Sequence, residues 1–555
     1  MTSNRVELAP HYYRDNFLRL CDTVEGQYAD MLDECERDLL ARWRALPFAA
    51  QCLYVRLLSR TGPWFRQSRL DYPELGPTGP PLEALLAAGL ACRARALSVC
   101  EIGALFTRAE LARLFAACVE GADRRTKAQL LCALDALPLE PAELLAVVAH
   151  GGEPLIVAPL QLDTVSRLQV LFFGNRRQSL TDFVLEDLGV TRYWPYRLDR
   201  AGRYFPDREA FDEYLACAAL ADRHRELSGS GAAREALTAL ATDLLAMRPR
   251  SAPGAARWQR LAAALGRDLE RSGDLDLALA LYRRGDRHPA RERRARVLER
   301  RGHWRAARAV CKRVLDSPRC EAEGESAARI MARVQRKLGG APARRARDCF
   351  AEFSLSLTRG AQPVEVRAAA ELAPQWEAVY YVENRLMNAL FGLAFWEQIF
   401  APGPGVFHHP YQAGPSDLYE PEFRRRRQTL IARRLAELGE GDLGAILVSA
   451  YRKYANHACR WVNWRHIDRA LIETAARVIP AAHLLAVFER LLFDPRENRR
   501  GFPDLIALGP REGDYRLIEV KAPGDALQDN QKRWLRFFAR QGIPAMVAWV
   551  RWRET

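Results

Sequence analysis

Strand-like sequence is confined to one end of this chain. Up to residue 503 the apolar residues recur mainly at helical spacing. After it come "DLIAL", "YRLIEV" and "AMVAWVRW", with a helix-patterned segment, "QDNQKRWLRFFARQG", between the second and the third. Such a chain is expected to be multidomain and mainly α, ending in a small α/β unit.

The first two runs are joined by "GPREGD", a turn sequence, which makes them a hairpin about Arg511-Glu512. In that register Gly509 faces Asp514 and Asp504 faces Glu519. Facing residues share one side of a sheet, with Cβ atoms roughly 4.5–5.5 Å apart. Lys521, two positions beyond Glu519, projects from the same side. A slip of one residue would disperse all three. Two opposed carboxylates repel unless a cation lies between them, and oxygen ligands suit Mg²⁺ or Mn²⁺. A divalent ion can polarise a phosphodiester and acidify an attacking water, with Lys521 positioning that water or offsetting charge on the phosphoryl group. A solvated hairpin edge, balanced by Lys521 and Arg516, is the other reading of the same residues.

A third carboxylate lies upstream. "QWEAVYYVENRLMNALFGLAFWEQIF" reads as one helix over residues 375–400, with Val379, Leu386, Met387 and Leu390 on the apolar face that carries Glu383. A carboxylate there must be paired, protonated or metal-bound. A salt bridge to an arginine is the plain alternative, while Glu377 and Glu397 read as solvated.

Ahead of that segment the sequence is modular. Residues 11–70 read as helices with aromatic anchors, a winged-helix-like module or an ordinary bundle, closed by a Pro/Gly break at 71–81. Short helices follow from residue 82 to about 134, and another is expected over 178–190. "LERSGDLDLALALY" (269–282) aligns with "LERRGHWRAARAVC" (298–311) at an offset of 29, with a poorer copy at 336–349. A helix, a Gly turn and a second helix resemble tetratricopeptide-type hairpins, which bind protein or act as spacers.

Composition narrows the partners. The net charge of +14 favours a polyanion, either nucleic acid or an anionic membrane surface. Only six of the 83 basic residues are lysines, so Lys521 stands out where arginine would serve for charge alone. The twelve cysteines form no C-x-x-C pair, and His408-His409 has no neighbouring cysteine to complete a zinc site. No signal peptide and no run of 18 apolar residues is visible, so a reduced, cytoplasmic protein is expected.

Six segments, in order, resemble the Fanconi-associated nuclease family: "AQCLYVRLLSRTGPWFR", "QSLTDFVLEDLGV", "VENRLMNALFG", "YQAGPSDLYEPEF", "GFPDLIAL" and "LIEVKAPGDALQDNQKRWL". A second Pro-Asp, in "FPDREAFDEY" at 205–214, has no E-x-K after it and is a decoy. The resemblance implies a C-terminal VRR-NUC core of the PD-(D/E)XK, restriction-endonuclease-like superfamily. It implies Glu383, Asp504, Glu519 and the Val520 carbonyl as ligands for one or two Mg²⁺ or Mn²⁺ ions, and Lys521 as the active-site lysine. Gln412, Asp525 and Gln531 fall at positions flanking the site, where loop capping is the alternative role. The implied order is an N-terminal DNA-binding region (1–75), a SAP-type region (76–165), a helical linker (166–250), tetratricopeptide-like repeats (251–372) and the nuclease domain (373–555).

The implied activity is metal-dependent cutting near 5′ flaps and branched junctions, with 5′ exonuclease action, in interstrand cross-link repair. DNA contacts are expected from Arg56, Arg60, Trp64 and Arg66, from Arg424, Arg425, Arg426 and Arg427, and from Arg496, Arg499 and Arg500. The repeats could hold a protein partner, and no membrane partner is expected. No Cys/His spacing supports the ubiquitin-binding zinc finger of eukaryotic relatives, which points to a bacterial, nucleoid-associated member. A non-catalytic junction-binding scaffold and a sequence-specific restriction-type enzyme are the rival readings.

Overall fold

The computed structural model describes residues 9–153, 155–178, 192–230, 234–340 and 348–553. The chain divides into two compact units, residues 1–191 with 198–200, and residues 192–197 with 201–555. The helix expected over 178–190 lies outside the described residues, apart from Gln178.

In the first unit the aromatic anchors pack helices α1 (Tyr12–Tyr28), α2 (Glu34–Ala45) and α3 (Phe48–Leu58) together. Phe17 of α1 meets Trp43 of α2 edge-on at 4.8 Å and Tyr54 of α3 at 6.5 Å. Asp33 and Glu36 close a reciprocal capping box that sets where α2 begins. Strands β1 (Phe65–Arg66), β2 (Ala91–Arg93) and β3 (Ile156–Pro159) form an antiparallel sheet in the order β1-β3-β2.

In the second unit the repeat seen in sequence is a repeat in space. Helix α4 (Ala252–Ser272) turns at Gly273 into α5 (Leu275–Arg284), and α6 (Ala290–Arg300) turns by Gly302 into α7 (Trp304–Asp316). Gly273 and Gly302, 29 residues apart, have φ of +85° and +75°, the left-handed turn that glycine adopts without strain. Helix α8 (Glu321–Lys337) completes a shared core containing Leu265, Tyr282, Leu298, Val310 and Ile330. Part of the third copy, residues 341–347, lies outside the described residues.

The last strands join a five-stranded sheet of order β4-β8-β7-β6-β5. Its strands are β4 (Glu352–Leu357), β5 (Ala378–Tyr381), β6 (Leu505–Leu508), β7 (Tyr515–Lys521) and β8 (Ala545–Trp552). β5, β6 and β7 pair antiparallel, and β8 pairs parallel to β7 and β4. Helix α9 (Val364–Leu372) packs on one face, over Leu505, Ala507, Ile518 and Val520. Helix α10 (Leu386–Ala394) follows β5, and further helices fill the span up to Asn498, so β5 and β6 pair across more than a hundred intervening residues. Among the described residues no single helix is long and apolar enough to cross a membrane.

Two features depart from the sequence expectation. Residues 375–400 are not one helix: Ala378–Tyr381 is the edge strand β5, and the helix begins only at Leu386. Its β-branched and aromatic residues, Val379, Tyr380 and Tyr381, pair with β6, and that contact overrides the helical periodicity. The sheet also begins earlier than residue 373, because β4 and α9 come from the stretch expected to be repeats.

Candidate active site

The hairpin register is the one the turn predicts. Leu505 pairs with Ile518, Ala507 with Arg516 and Leu508 with Tyr515, which sets Asp504 opposite Glu519 at the end of the ladder. At the turn, the Gly509 N–H donates to the Asp514 carbonyl at 2.7 Å. A Cβ on Gly509 would stand 2.0 Å from the Asp514 carboxylate, so a larger residue there would displace that side chain. Strand β7 is buried at every position but Arg516. Ile518 and Val520 face α9, and Glu519 and Lys521 face the other way.

That opposite face meets helix α11 (Asp529–Gln541) through Gln531. The Gln531 amide donates to Glu519 Oε1 at 2.5 Å, and its own oxygen accepts from the Gln528 N–H at 2.8 Å. Gly501 allows this helix end to approach. Its φ is +86°, and a Cβ there would lie 2.8 Å from the Asn530 carbonyl carbon. Lys521 Nζ donates to the same Glu519 oxygen at 2.9 Å. Asp504 Oδ2 accepts the Val520 N–H at 2.8 Å.

Asp504, Glu519 and Lys521 are 7%, 1% and 8% exposed, a concentration of charge that burial alone would forbid. Burial raises the carboxyl pKa of Glu519, and the charge of Asp504 raises it further against the opposing pull of Lys521. Burial likewise raises Asp504; the Val520 N–H opposes this, and Glu383 and Glu365 of α9 add to it. Glu519 Oε2 is buried with no hydrogen-bond partner.

Glu383 arrives by a route the sequence reading did not foresee. The Val382 N–H donates to the Asp504 carbonyl at 2.8 Å, extending the β5–β6 ladder by one residue. Glu383 therefore lies in the turn between β5 and α10, beside Asp504, and not on an apolar helix face. Its carboxylate accepts from the Tyr381 hydroxyl at 2.9 Å and from the Asn384 amide at 3.0 Å. Asn384 has φ of +51°, which asparagine tolerates better than most residues, and its side-chain oxygen accepts from the Phe502 N–H at 3.1 Å. Burial and the bond to Glu383 push the Tyr381 phenol up to about 12, so it remains a donor. Tyr381 and Asn384 were missed in sequence; adjacency to Glu383 was the available signal.

In this arrangement, no three His, Cys, Asp or Glu side chains among the described residues stand close enough to enclose an ion. Glu383 is held by its own neighbours, and Glu519 by Lys521 and Gln531.

The remaining expected residues are distributed as follows. Gln412 is buried and ties a loop, accepting from the His408 N–H at 2.6 Å and donating to the Val406 and Gly414 carbonyls at 3.2 and 3.3 Å. Asp525 accepts the Ala522 N–H at 3.0 Å, closing the turn after β7. Glu377 and Glu397 are exposed, as expected, and pair at the surface with Arg477 and Lys453, each at 2.8 Å.

Arg66 is 11% exposed and joins Glu110 and Glu153 at 2.8 and 2.9 Å. Arg56 pairs with Glu74 and lies over the Tyr13 ring at 4.0 Å, and Trp64 donates to Glu101 at 2.8 Å. Arg60 is exposed and donates to the Tyr72 hydroxyl at 3.0 Å. Arg427 is buried against Asp417 at 3.1 Å, with Arg426 at 3.4 Å from the same carboxylate. Arg496 pairs with Glu420 at 2.7 Å, and Arg499 lies over the Tyr419 ring at 4.3 Å. Arg424, Arg425 and Arg500 are exposed.

The model of the VRR-NUC domain matches residues 439–552, and that of the FAN1 HTH domain matches residues 11–92. A Fanconi-associated nuclease 1 homolog of Pseudomonas aeruginosa is 36% identical over 547 residues, 98% of this chain and 96% of the relative. The homolog of Arabidopsis thaliana is 25% identical over 608 residues, 97% of this chain and 67% of that relative. A crystal structure of paFAN1 bound to 2-nucleotide 5′-flap DNA with a gap superposes with a TM-score of 0.84 at 35% identity, covering 99% of this chain and 100% of the other.

Proposed function

The chain belongs to the Fanconi-associated nuclease 1 family of DNA nucleases, and on that premise we propose that it hydrolyses flap and branched DNA at Glu383, Asp504, Glu519 and Lys521. The observation that carries this reading is the hairpin register. It brings two buried carboxylates and a buried ammonium together, and the β5–β6 ladder delivers a third carboxylate to them. The finer activity is incision near 5′ flaps with 5′ exonuclease action, serving interstrand cross-link repair on bacterial nucleoid DNA. The paFAN1 structures with 1- and 2-nucleotide 5′ flaps support that substrate class.

The residues present fit Mg²⁺ or Mn²⁺. All the donors are oxygens, and the orphaned Glu519 Oε2 gives a buried carboxylate a reason to take a cation. Glu383, Asp504, Glu519 and the Val520 carbonyl would hold one or two ions. Bound there, a divalent ion supplies Lewis acidity to the phosphodiester and acidifies the attacking water.

The chain's own groups do the positioning. Lys521, pinned by Glu519, presents a compact ammonium to the attacking water or to the developing phosphoryl charge. Gln531 fixes the rotamer of Glu519, and the Val520 N–H fixes that of Asp504. Tyr381 and Asn384 orient the Glu383 carboxylate by donating to its two oxygens. Asp525 shapes the turn that follows Lys521. Exposed Arg424, Arg425 and Arg500, with Arg496 nearby in sequence, are the candidates for phosphate contacts in the nuclease unit.

The test is cleavage of 5′-flap DNA with Mg²⁺ or Mn²⁺, with DNA binding measured separately. Wild type should cut, and Asp504→Ala should bind the same DNA without cutting it. Equal cleavage by both proteins refutes the assignment. Binding without cleavage by wild type would favour a scaffold.

A further inference from the structure

The repeats carry a feature that the nuclease site does not use. Arg267, Glu270 and Arg271 of α4 and Arg293 and Arg300 of α6 line a cavity of about 320 Å³. Four guanidinium groups thus surround a single lining carboxylate. Arg271 and Arg300 occupy equivalent positions in the 29-residue repeat, so successive first helices present an arginine to the same place.

The floor of the cavity is built. Gly266 leaves room for the Tyr282 ring, since a Cβ there would lie 2.7 Å from the ring edge. The Tyr282 hydroxyl donates to buried Glu270 at 2.7 Å, and Arg293 Nη1 reaches the other Glu270 oxygen at 3.4 Å. Arg293 Nε is buried without a hydrogen-bond partner. Arg271 pairs with Asp268 at 3.0 Å, while Arg267 and Arg300 have no ion-pair partner among the described residues. The cavity therefore holds more positive charge than its own acids balance, in a volume of roughly ten waters at ~30 Å³ each.

We propose that this cavity binds a backbone phosphate of a DNA arm, making the repeats a second DNA contact outside the carboxylate site. Guanidinium forks match phosphate oxygens bidentately, and several of them around one pocket suit a phosphate better than a single carboxylate. The inference rests on the reading of the chain as a DNA nuclease.

The experiment uses the full-length chain with Arg267→Ala/Arg300→Ala and Arg267→Lys/Arg300→Lys. Affinity for 5′-flap DNA is measured by fluorescence anisotropy across a salt series, with long and with shortened duplex arms. The alanine variant should lose about tenfold in affinity on long arms. Its log–log salt slope should become shallower by about one, the signature of one lost phosphate contact. Shortened arms should erase the difference, the lysine variant should recover most of the slope, and single-turnover cleavage at saturating DNA should be unchanged.

Wild-type affinity and slope in the alanine variant overturn the inference and leave the nuclease reading intact. The same holds if millimolar inorganic phosphate stabilises wild type more than the variant while DNA affinity is equal, which would make this a small-anion site. An acidic protein partner likewise predicts unchanged DNA affinity. Failure of wild type to bind flap DNA at all removes the nuclease reading and this inference together.

Discussion

Asp504→Asn should stabilise the protein when divalent ions are chelated, and the gain should grow with pH. Asp504 is 7% exposed and faces Glu519, which is 1% exposed, with Glu383 adjacent. Its folded-state pKa is raised, first by burial, against an ordinary value near 4. A group whose folded pKa is raised contributes stability below its unfolded pKa, and that contribution is lost as pH rises through the folded value. At pH 8 the ionised carboxylate is therefore a net cost. Asparagine keeps an oxygen for the Val520 N–H and removes the charge. Partial compensation by Lys521 puts the gain at about 1–2 kcal/mol, the lower part of the range for a strained buried group. For a unit of about 360 residues that is a rise of roughly 1–3 °C in Tm. Thermal melts in chelator at pH 5 and pH 8 measure it, with the larger gain expected at pH 8. Added Mn²⁺ should reverse the ranking, raising wild type above the variant. A variant less stable than wild type at pH 8 in chelator, or a gain independent of pH, would refute the reasoning.

Three further outcomes follow from the same geometry. Lys521→Met should lower single-turnover cleavage by about 10²–10⁴-fold with DNA affinity nearly intact, and Lys521→Arg should not restore it, since a planar fork does not replace the ammonium held by Glu519. Gln531→Ala removes one of two donors to Glu519 Oε1; cleavage should fall about tenfold and the Mn²⁺ concentration for half-maximal stabilisation should rise, both read on one preparation. Asn384→Ala should cost about 1–3 kcal/mol in chemical denaturation, through the bond to Phe502 and the left-handed backbone, whereas Asn384→Gly should recover the backbone part alone.

Most of the site was legible because its key pairing is local. Asp504, Glu519 and Lys521 are related by one short turn, and the glycine and the polar residues around Arg511-Glu512 fix its register. Glu383 was identified for a reason the structure does not support. Val379, Leu386, Met387 and Leu390 mimic a helical stripe, but the partner that makes Ala378–Tyr381 a strand lies more than a hundred residues downstream. β4 escaped notice for the same reason, since it pairs parallel to β8 from nearly two hundred residues away. The arginines are less legible for another reason. Sequence shows their charge but not their partners, and Arg66, Arg427 and Arg56 are taken up by acids of the same chain. Gln412 shows that limit too, because its side-chain bonds serve its own loop.

The position of β8 within the sheet has a consequence for how the sheet closes. This strand, residues 545–552, lies between β4 and β7, so β4 joins the sheet only through β8. Glu519 and Lys521 stand on β7, whose second edge is covered by β8 alone. A chain cut before Ala545 would keep the paired carboxylates and the repeats, yet leave that edge bare and β4 without a partner. Two elements far apart in sequence thus depend on one strand to hold the candidate site rigid.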